Sequence, residues 1–481
     1  MKYFSKKYDA VVLGAGVAGL AFAWEFSQKG KKVLVLEKEN KVGGLHRTTW
    51  YKGFGFDFCA HRFHTANQKL LKRVKKLMGK DFIKKQKQSR IFLFNKFLRY
   101  PFEIPQLLRA MPKKQAFYSI FEFVLARVKT KLGKPKIKNY KEWFEYFFGR
   151  GLYNVMCRPY TSKIWKMDPV KLSADWADQR FKGIKTRELI KETVKKILTL
   201  NFRSEKIEDE LFPDAAPFYY PKEGAYKLAE KMAEKVIENK GVIKTNVSVT
   251  KITSAKAGKK IKFSLGNKKY SVFAPFVIST IPLHATFPLI SPKPPTNISK
   301  ALNKLRYLNT IFVNLILKKS QVSKDSWLYF PEKEIIFNRL VEFKNWSPKM
   351  APVKNKTAVN LDISCYRGNK IWDASDDYLI DKALKGGEKA GLFSKKDLFG
   401  GFVIRVPFAY PVYDLGYKKR VKKIVNFIEK DKKIFCLGRT GLFRWNNADN
   451  SIEMGFELAN RLLNKSGDTS LLSYSFKAFS L

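Results

Sequence analysis

Between Asp9 and Gly44 the chain reads DAVVLGAGVAGLAFAWEFSQKGKKVLVLEKENKVGG, and no other stretch constrains the fold as much. Ala10 to Leu13 is a short apolar run that suits a buried parallel strand, and Leu20 to Phe26 carries helical apolar spacing. Between them Gly14, Gly16 and Gly19 form G-x-G-x-x-G. The first glycine permits a tight turn, the second lets backbone N–H groups close on a pyrophosphate, and the third lets helix and strand pack. The start of the helix favours the anion. Val33 to Leu36 reads as a second strand, and Glu37 ends it where a carboxylate can accept both hydroxyls of a ribose. An ordinary glycine turn would explain the glycines alone. Strand, turn, helix, strand and acid together read as a dinucleotide-binding βαβ unit.

Gly43 and Gly44 follow the second strand. The whole pattern resembles the two-dinucleotide-binding flavoproteins, the superfamily that holds amine oxidases, protoporphyrinogen oxidase, phytoene desaturases and UDP-galactopyranose mutase. The resemblance implies FAD. Further motifs are similar to the mutase group in particular. Phe54 to Thr65, FGFDFCAHRFHT, resembles its G-x-H-x-F-H-T loop, which implies that His61 neighbours the flavin ring. Arg158 to Arg180, RPYTSKIWKMDPVKLSADWADQR, resembles P-Y-T-x-K-x-W followed by a Leu-Ser-Ala helix and an arginine. Phe408 to Asp414, FAYPVYD, resembles the tyrosine-bearing Y-P segment, with Tyr410 preferred to Tyr413. Residues 434 to 463, IFCLGRTGLFRWNNADNSIEMGFELANRLL, resemble the terminal G-R-x-G-x-x-R-Y-x-N-x-D signature, with Arg439, Arg444, Asn447 and Asp449 in register.

From this resemblance follow catalytic roles for His61, Tyr410, Arg439 and Trp445. Tyr160, Trp165, Arg180 and Tyr220 are implied as substrate contacts, together with Tyr410, Arg439 and Trp445. Cofactor contacts are implied at the first turn (Gly14, Gly16, Ala18, Gly19) and after the second strand (Glu37, Lys38, Gly43, Gly44, Leu45). His61 and Val247 join them, as do Gly438, Asn447, Asp449, Ser451 and Ile452 in the terminal segment. Two departures weaken the match. Trp445 stands where the family has a phosphate-contacting tyrosine and brings an N–H but no hydroxyl. Ile184 stands where a second clamp arginine is expected, with Lys182 and Lys185 near it.

The fold expected is α/β: a Rossmann-like FAD domain built from residues 1–105, 213–290 and 429–481, a helical insertion at 106–212 and a mixed-sheet substrate domain at 291–428. Within it Ser89 to Tyr100 reads as a hairpin, Arg187 to Leu200 as a helix and Val242 to Ile252 as a strand. Two activities compete. A mutase-like isomerase would use reduced flavin to convert a nucleotide-linked pyranose to a furanose, in synthesis of surface polysaccharide or glycolipid. An oxidase or desaturase would use oxidised flavin, with Tyr160, Trp165, Phe443 and Trp445 as aromatic walls. A flavin-bearing scaffold without catalysis is the third reading.

With 481 residues and 45% hydrophobic content, the chain has material for two to four units at roughly 100 to 200 residues each. Its 94 Lys and Arg against 42 Asp and Glu give a net charge of +52. The basic residues are scattered and mostly lysine, which reads as compositional drift; attraction to a nucleotide-sugar diphosphate or weak association with an anionic membrane surface is the alternative. No nucleic-acid module is present. Cys59, Cys157, Cys365 and Cys436 form no C-x-x-C, and the His61/His64 pair lacks a third ligand, so no metal site is expected. The absence of a signal-like start and of any 18-residue apolar run suggests a cytoplasmic protein. Ala116 to Val128 is too short to span a bilayer and reads as a buried helix in preference to a membrane-surface anchor.

Overall fold

The computed structural model describes residues 7–101, 104–131, 133, 135–180, 217–431 and 434–464. A parallel sheet of five strands lies at the centre, in the order Ile434–Cys436, Phe276–Ser279, Ala10–Leu13, Val33–Leu36, Val242–Lys244. The runs AVVL and VLVL are buried throughout, as strands covered on both faces must be. The helix Val17–Gln28 leaves the first strand and is itself almost wholly buried, because the helices Ala448–Leu463 and Tyr226–Glu238 pack against it. That crossing needs glycine: a Cβ on Gly455 would sit 2.5 Å from the Ala18 carbonyl oxygen. Three separated stretches of chain thus close one core.

The apolar run from Val242 to Ile252 is two strands, not one. Val242–Lys244 ends the parallel sheet, and Val247–Ala255 opens a four-stranded sheet with Gly258–Leu265, Lys268–Ala274 and the short edge Ile290–Ser291. The break is at Asn246, whose φ of 56° is a left-handed conformation that asparagine tolerates.

A mixed sheet of seven strands forms the second layer, in the order Leu398–Pro411, Tyr307–Leu317, Thr357–Cys365, Arg339–Glu342, Trp327–Tyr329, Ser89–Leu93, Lys96–Arg99. Its last two strands are the hairpin placed by sequence within the first flavin segment. Pairing of Ser89 with Trp327 and of Ile91 with Tyr329 attaches that hairpin to the other sheet. Tyr307–Leu317 is buried along its whole length because strands flank it on both sides.

A helical layer follows, made of Ile104–Ala110, Lys113–Lys131, Tyr140–Leu152, Arg158–Trp165 and Asp175–Arg180. The expected helix at 187–200 and the positions Lys182, Ile184 and Lys185 lie outside the described residues. The segment read as a buried helix requires correction: Phe123 and Ala126 face inward, but Phe117 is 75% and Phe121 58% exposed. Among the described residues no helix is long and apolar enough to cross a membrane.

Lys163 fastens the helical layer to the large sheet. Its buried ammonium donates to the carbonyls of Phe330 (2.6 Å), Phe337 (2.6 Å) and Glu332 (2.9 Å). Lys163→Met keeps the length of the side chain but strands these carbonyls, and it should lower unfolding free energy by about 3 kcal/mol. Urea denaturation measures this; a loss under about 1 kcal/mol would show that water replaces the ammonium at no cost.

Candidate functional site

The first part of the site is a backbone cradle. Gly14 has φ of +97°, and a Cβ there would lie 2.5 Å from Thr280 Oγ1; a Cβ on Gly19 would lie 2.4 Å from the Gly14 carbonyl oxygen. Gly43 donates its N–H to the Ala15 carbonyl (2.8 Å), and a Cβ on Gly44 would sit 3.2 Å from the Gly16 Cα. Gly16 differs from all of these, since nothing lies within 4 Å of where its Cβ would be. It caps the helix Val17–Gln28 without any side-chain hydrogen bond. Open space over a glycine, at the start of a buried helix whose first N–H groups have no side-chain cap, fits a pyrophosphate.

Glu37 fixes the other end of the cradle. Its buried carboxylate accepts from the Ala15 N–H (2.7 Å) and the Glu39 N–H (2.9 Å), which locks strand end and glycine turn together. Val247 donates its N–H to the Glu37 carbonyl (2.9 Å), so the break at Asn246 delivers Val247 beside the acid. Lys38 is exposed next to it. From the terminal segment, Gly438 with φ of +77° abuts Ala18, at 3.0 Å from its would-be Cβ. Asn447 occupies the N-cap of the helix Ala448–Leu463, whose Ser451 and Ile452 are buried. Asp449 stands in that first turn; its Oδ1 is buried without a partner, and burial raises its carboxyl to about 6.

The second part is a wall of aromatic rings and guanidinium groups. Tyr410 and Trp445 stack at 4.5 Å, Trp445 meets Trp176 edge-on at 4.7 Å, and Trp176 meets Trp165 edge-on at 4.8 Å. Arg439 lies over both rings of the stack, 4.9 Å from Tyr410 and 5.7 Å from Trp445. It is held there by the Asn446 carbonyl, to which Nη2 donates at 2.6 Å and Nε at 3.1 Å. Tyr413 braces the wall through the main chain, its buried hydroxyl accepting the backbone N–H of Trp445 at 2.6 Å. Burial holds the Tyr410 phenol protonated well above its usual range, and the Cys59 thiol beside it adds to this.

Two groups that sequence reading missed complete the wall. Arg339 is ion-paired with Asp362 (2.5 Å) and donates to Cys59 Sγ (2.6 Å), which itself lies 3.3 Å from the Tyr410 hydroxyl. His46 packs against His61 with ring centroids 4.2 Å apart and ring planes tilted by 37°. Burial lowers His46 to about 4, with the charge of Arg439 acting in the same direction and the Ala225 carbonyl partly opposing it. His61 falls well below the ordinary histidine range, first through burial and then through His46, Arg439 and Arg339. Its Nδ1 is buried without a partner. A signal was available for Asp362, a charge inside an apolar strand (TAVNLDISC) where only a partner makes burial tolerable.

Several expected residues fall elsewhere. Tyr220 is fully buried and donates its hydroxyl to Asp57 (2.6 Å), next to the Thr48 hydroxyl and the Ala225 N–H on the same carboxylate. This corrects the substrate role, because the phenol is spent on the core. Tyr160 packs edge-on against Tyr329 at 5.5 Å. Arg180 ends the helix Asp175–Arg180. Leu45 and Tyr410 both pack against the buried cluster that holds Phe58 and Cys59, which joins the glycine cradle to the aromatic wall. Among the described residues no group of His, Cys, Asp and Glu is placed to hold a metal.

Fold and cradle together define an FAD-type dinucleotide-binding α/β enzyme. The chain belongs to the flavin containing amine oxidoreductase family, whose model matches residues 17–389. The family implies FAD, and the open Gly16 turn and the buried Glu37 fit it. The chain is 35% identical over 119 residues to the UDP-galactopyranose mutase of Mycoplasma pneumoniae; the match covers 23% of this chain and only 28% of that protein. A crystal structure of reduced UDP-galactopyranose mutase superposes with a TM-score of 0.84 at 22% identity, covering 98% of this chain and 99% of that one. A protoporphyrinogen oxidase structure from Exiguobacterium superposes at 0.73 with 15% identity, over 96% and 100%. At these identities the structures establish a shared fold.

Gly16→Asp should give a folded, colourless protein, since the added side chain enters open space but opposes an anion; retained yellow colour would place the pyrophosphate elsewhere. The histidine pair predicts acid sensitivity. Unfolded His46 takes a proton near 6.5 and folded His46 only at about 4, so its contribution is complete above pH 6.5 and drains away as pH falls through 4. That is worth about 3 kcal/mol. Urea unfolding should weaken accordingly between about pH 7 and 4 in wild type, and less in His46→Gln, whose amide does not titrate.

Proposed function

We propose that this protein isomerises a nucleotide-linked sugar between pyranose and furanose forms with FAD in the reduced state, serving synthesis of a surface polysaccharide or glycolipid. The observation that carries the reading is the pair of guanidinium groups at Tyr410, Arg439 over its ring and Arg339 next to it through Cys59, in a wall of tryptophans. Fixed cations suit a diphosphate, and ring faces suit a base or a sugar. A protonated amine, by contrast, would meet charge of its own sign. When bound and reduced, FAD supplies an electron-rich N5 as a nucleophile.

The protein side of the chemistry is binding and charge balance. Arg439 balances negative charge on a departing diphosphate, and Trp445 and Tyr410 stack against the substrate. The Tyr410 phenol stays protonated and is therefore a hydrogen-bond donor. His61 stays neutral, so it brings no competing charge to the flavin side of the site. Cys59, Cys157, Cys365 and Cys436 are all free and buried, which fits a reducing cytoplasm.

One observation favours an oxidoreductase instead: Trp445 stacks where a phosphate-contacting hydroxyl was expected, and the wall it joins is largely apolar. A desaturase-type substrate or an anionic porphyrin would use the same rings, with oxidised flavin accepting hydride. Redox state separates the two. Incubation with UDP-galactose and related nucleotide sugars should give furanose product only after dithionite reduction, without stoichiometric oxygen use. Bleaching of oxidised enzyme by an apolar substrate, with no reaction of nucleotide sugars, would overturn the proposal. Arg439→Ala should weaken UDP binding roughly ten- to a hundredfold while flavin content holds. Equal affinity would assign Arg439 wholly to the Asn446 carbonyl.

A further inference from the structure

The helix Lys113–Lys131 is apolar on two sides. Its inner side is docked by close approach to Tyr140–Leu152: a Cβ on Gly149 would lie 2.5 Å from the Glu122 carbonyl oxygen, and one on Gly151 2.5 Å from the Ser119 Cα. Ser119, Phe123 and Ala126 are buried there. The outer side carries Phe117, Phe121, Val124 and Val128, 75%, 58%, 53% and 53% exposed, at a spacing that lines up one ridge. A helix that is apolar all round is ordinarily covered all round. Contiguous exposed aromatic and aliphatic side chains mark an interaction surface.

The charge around the ridge selects what covers it. Lys113 and Lys114 are exposed at one end and Lys129 at the other, with Lys136 and Lys138 exposed just beyond. The one acid in the helix, Glu122, accepts the Arg150 backbone N–H at 3.2 Å. A second copy packed on this ridge would set basic ends against basic ends in either orientation, on chains that each carry +52. An anionic bilayer meets both requirements at once, taking the rings into the acyl boundary and the ammonium groups among headgroup phosphates. We propose that the Phe117–Val128 ridge is a peripheral docking face for a membrane surface bearing anionic lipid. The flavin chemistry plays no part in this, so the face stands whichever reaction the site performs.

Flotation of the full-length holoprotein with vesicles tests the assignment. Wild type should float with equimolar phosphatidylcholine and phosphatidylglycerol at near-physiological salt and remain behind with phosphatidylcholine alone. Phe117→Gln/Phe121→Gln should cut binding to the mixed vesicles by about tenfold or more. Both positions are exposed, so thermal unfolding and flavin content should match wild type. Undiminished flotation of the double variant would show that diffuse positive charge alone drives binding, and absence of wild-type flotation would remove the proposal outright. A shift of the double variant to a smaller oligomer with unchanged flotation would assign the ridge to contact between copies, and would equally overturn it.

Discussion

Everything in this molecule depends on a close approach of backbone to backbone at the glycine turn. Gly43 bonds to Ala15, Gly44 lies against Gly16, and the Glu37 carboxylate grips the Ala15 N–H. Side chains at Gly14, Gly19, Gly43 or Gly44 would push these segments apart. With them in place, one patch over Gly16 remains open, at the tip of a buried helix. The same constraint propagates outward: Gly438 and Gly455 let the terminal segment reach Ala18, more than four hundred residues away in sequence, so the cradle closes only when the chain has returned.

The aromatic wall obeys a different rule. Each of its charges is held by a specific partner, Arg339 by Asp362 and Arg439 by the Asn446 carbonyl, so the guanidinium groups stay fixed beside the rings instead of swinging into solvent. Burial above all keeps His46 and His61 neutral, with the positive field of Arg439 acting in the same direction on both and that of Arg339 on His61. A site made of fixed cations, neutral imidazoles and a protonated phenol is suited to binding and stabilising anions. It is poorly suited to receiving another cation.

How much of this was legible in sequence follows from how local each signal is. The βαβ unit was readable because turn, helix and acid lie within one short span and each residue type has a local steric reason. The terminal helix was readable for the same reason. The hairpin Ser89–Arg99 was readable as a hairpin but not as a member of the seven-stranded sheet, since its pairing with Trp327–Tyr329 is a long-range choice that local pattern does not encode. Tyr220 and Tyr219 looked alike in FYYP; alternation turned Tyr220 toward Asp57 and left Tyr219 half-buried. Arg339 escaped because its partners Cys59 and Asp362 come from two other parts of the chain. Ala116 to Val128 reads as buried on composition, whereas among the described residues only one side of the helix it forms is covered.

A dinucleotide lying across the open glycine is what the cradle is built for, and a crystal structure of the protein grown with FAD examines that directly. The pyrophosphate should lie over Gly16 at the start of the Val17–Gln28 helix, the adenosine ribose at Glu37, and the isoalloxazine ring beside His61 and the Tyr410–Trp445 stack. Electron density for the cofactor away from Gly16, or with Glu37 facing no ribose, would contradict it.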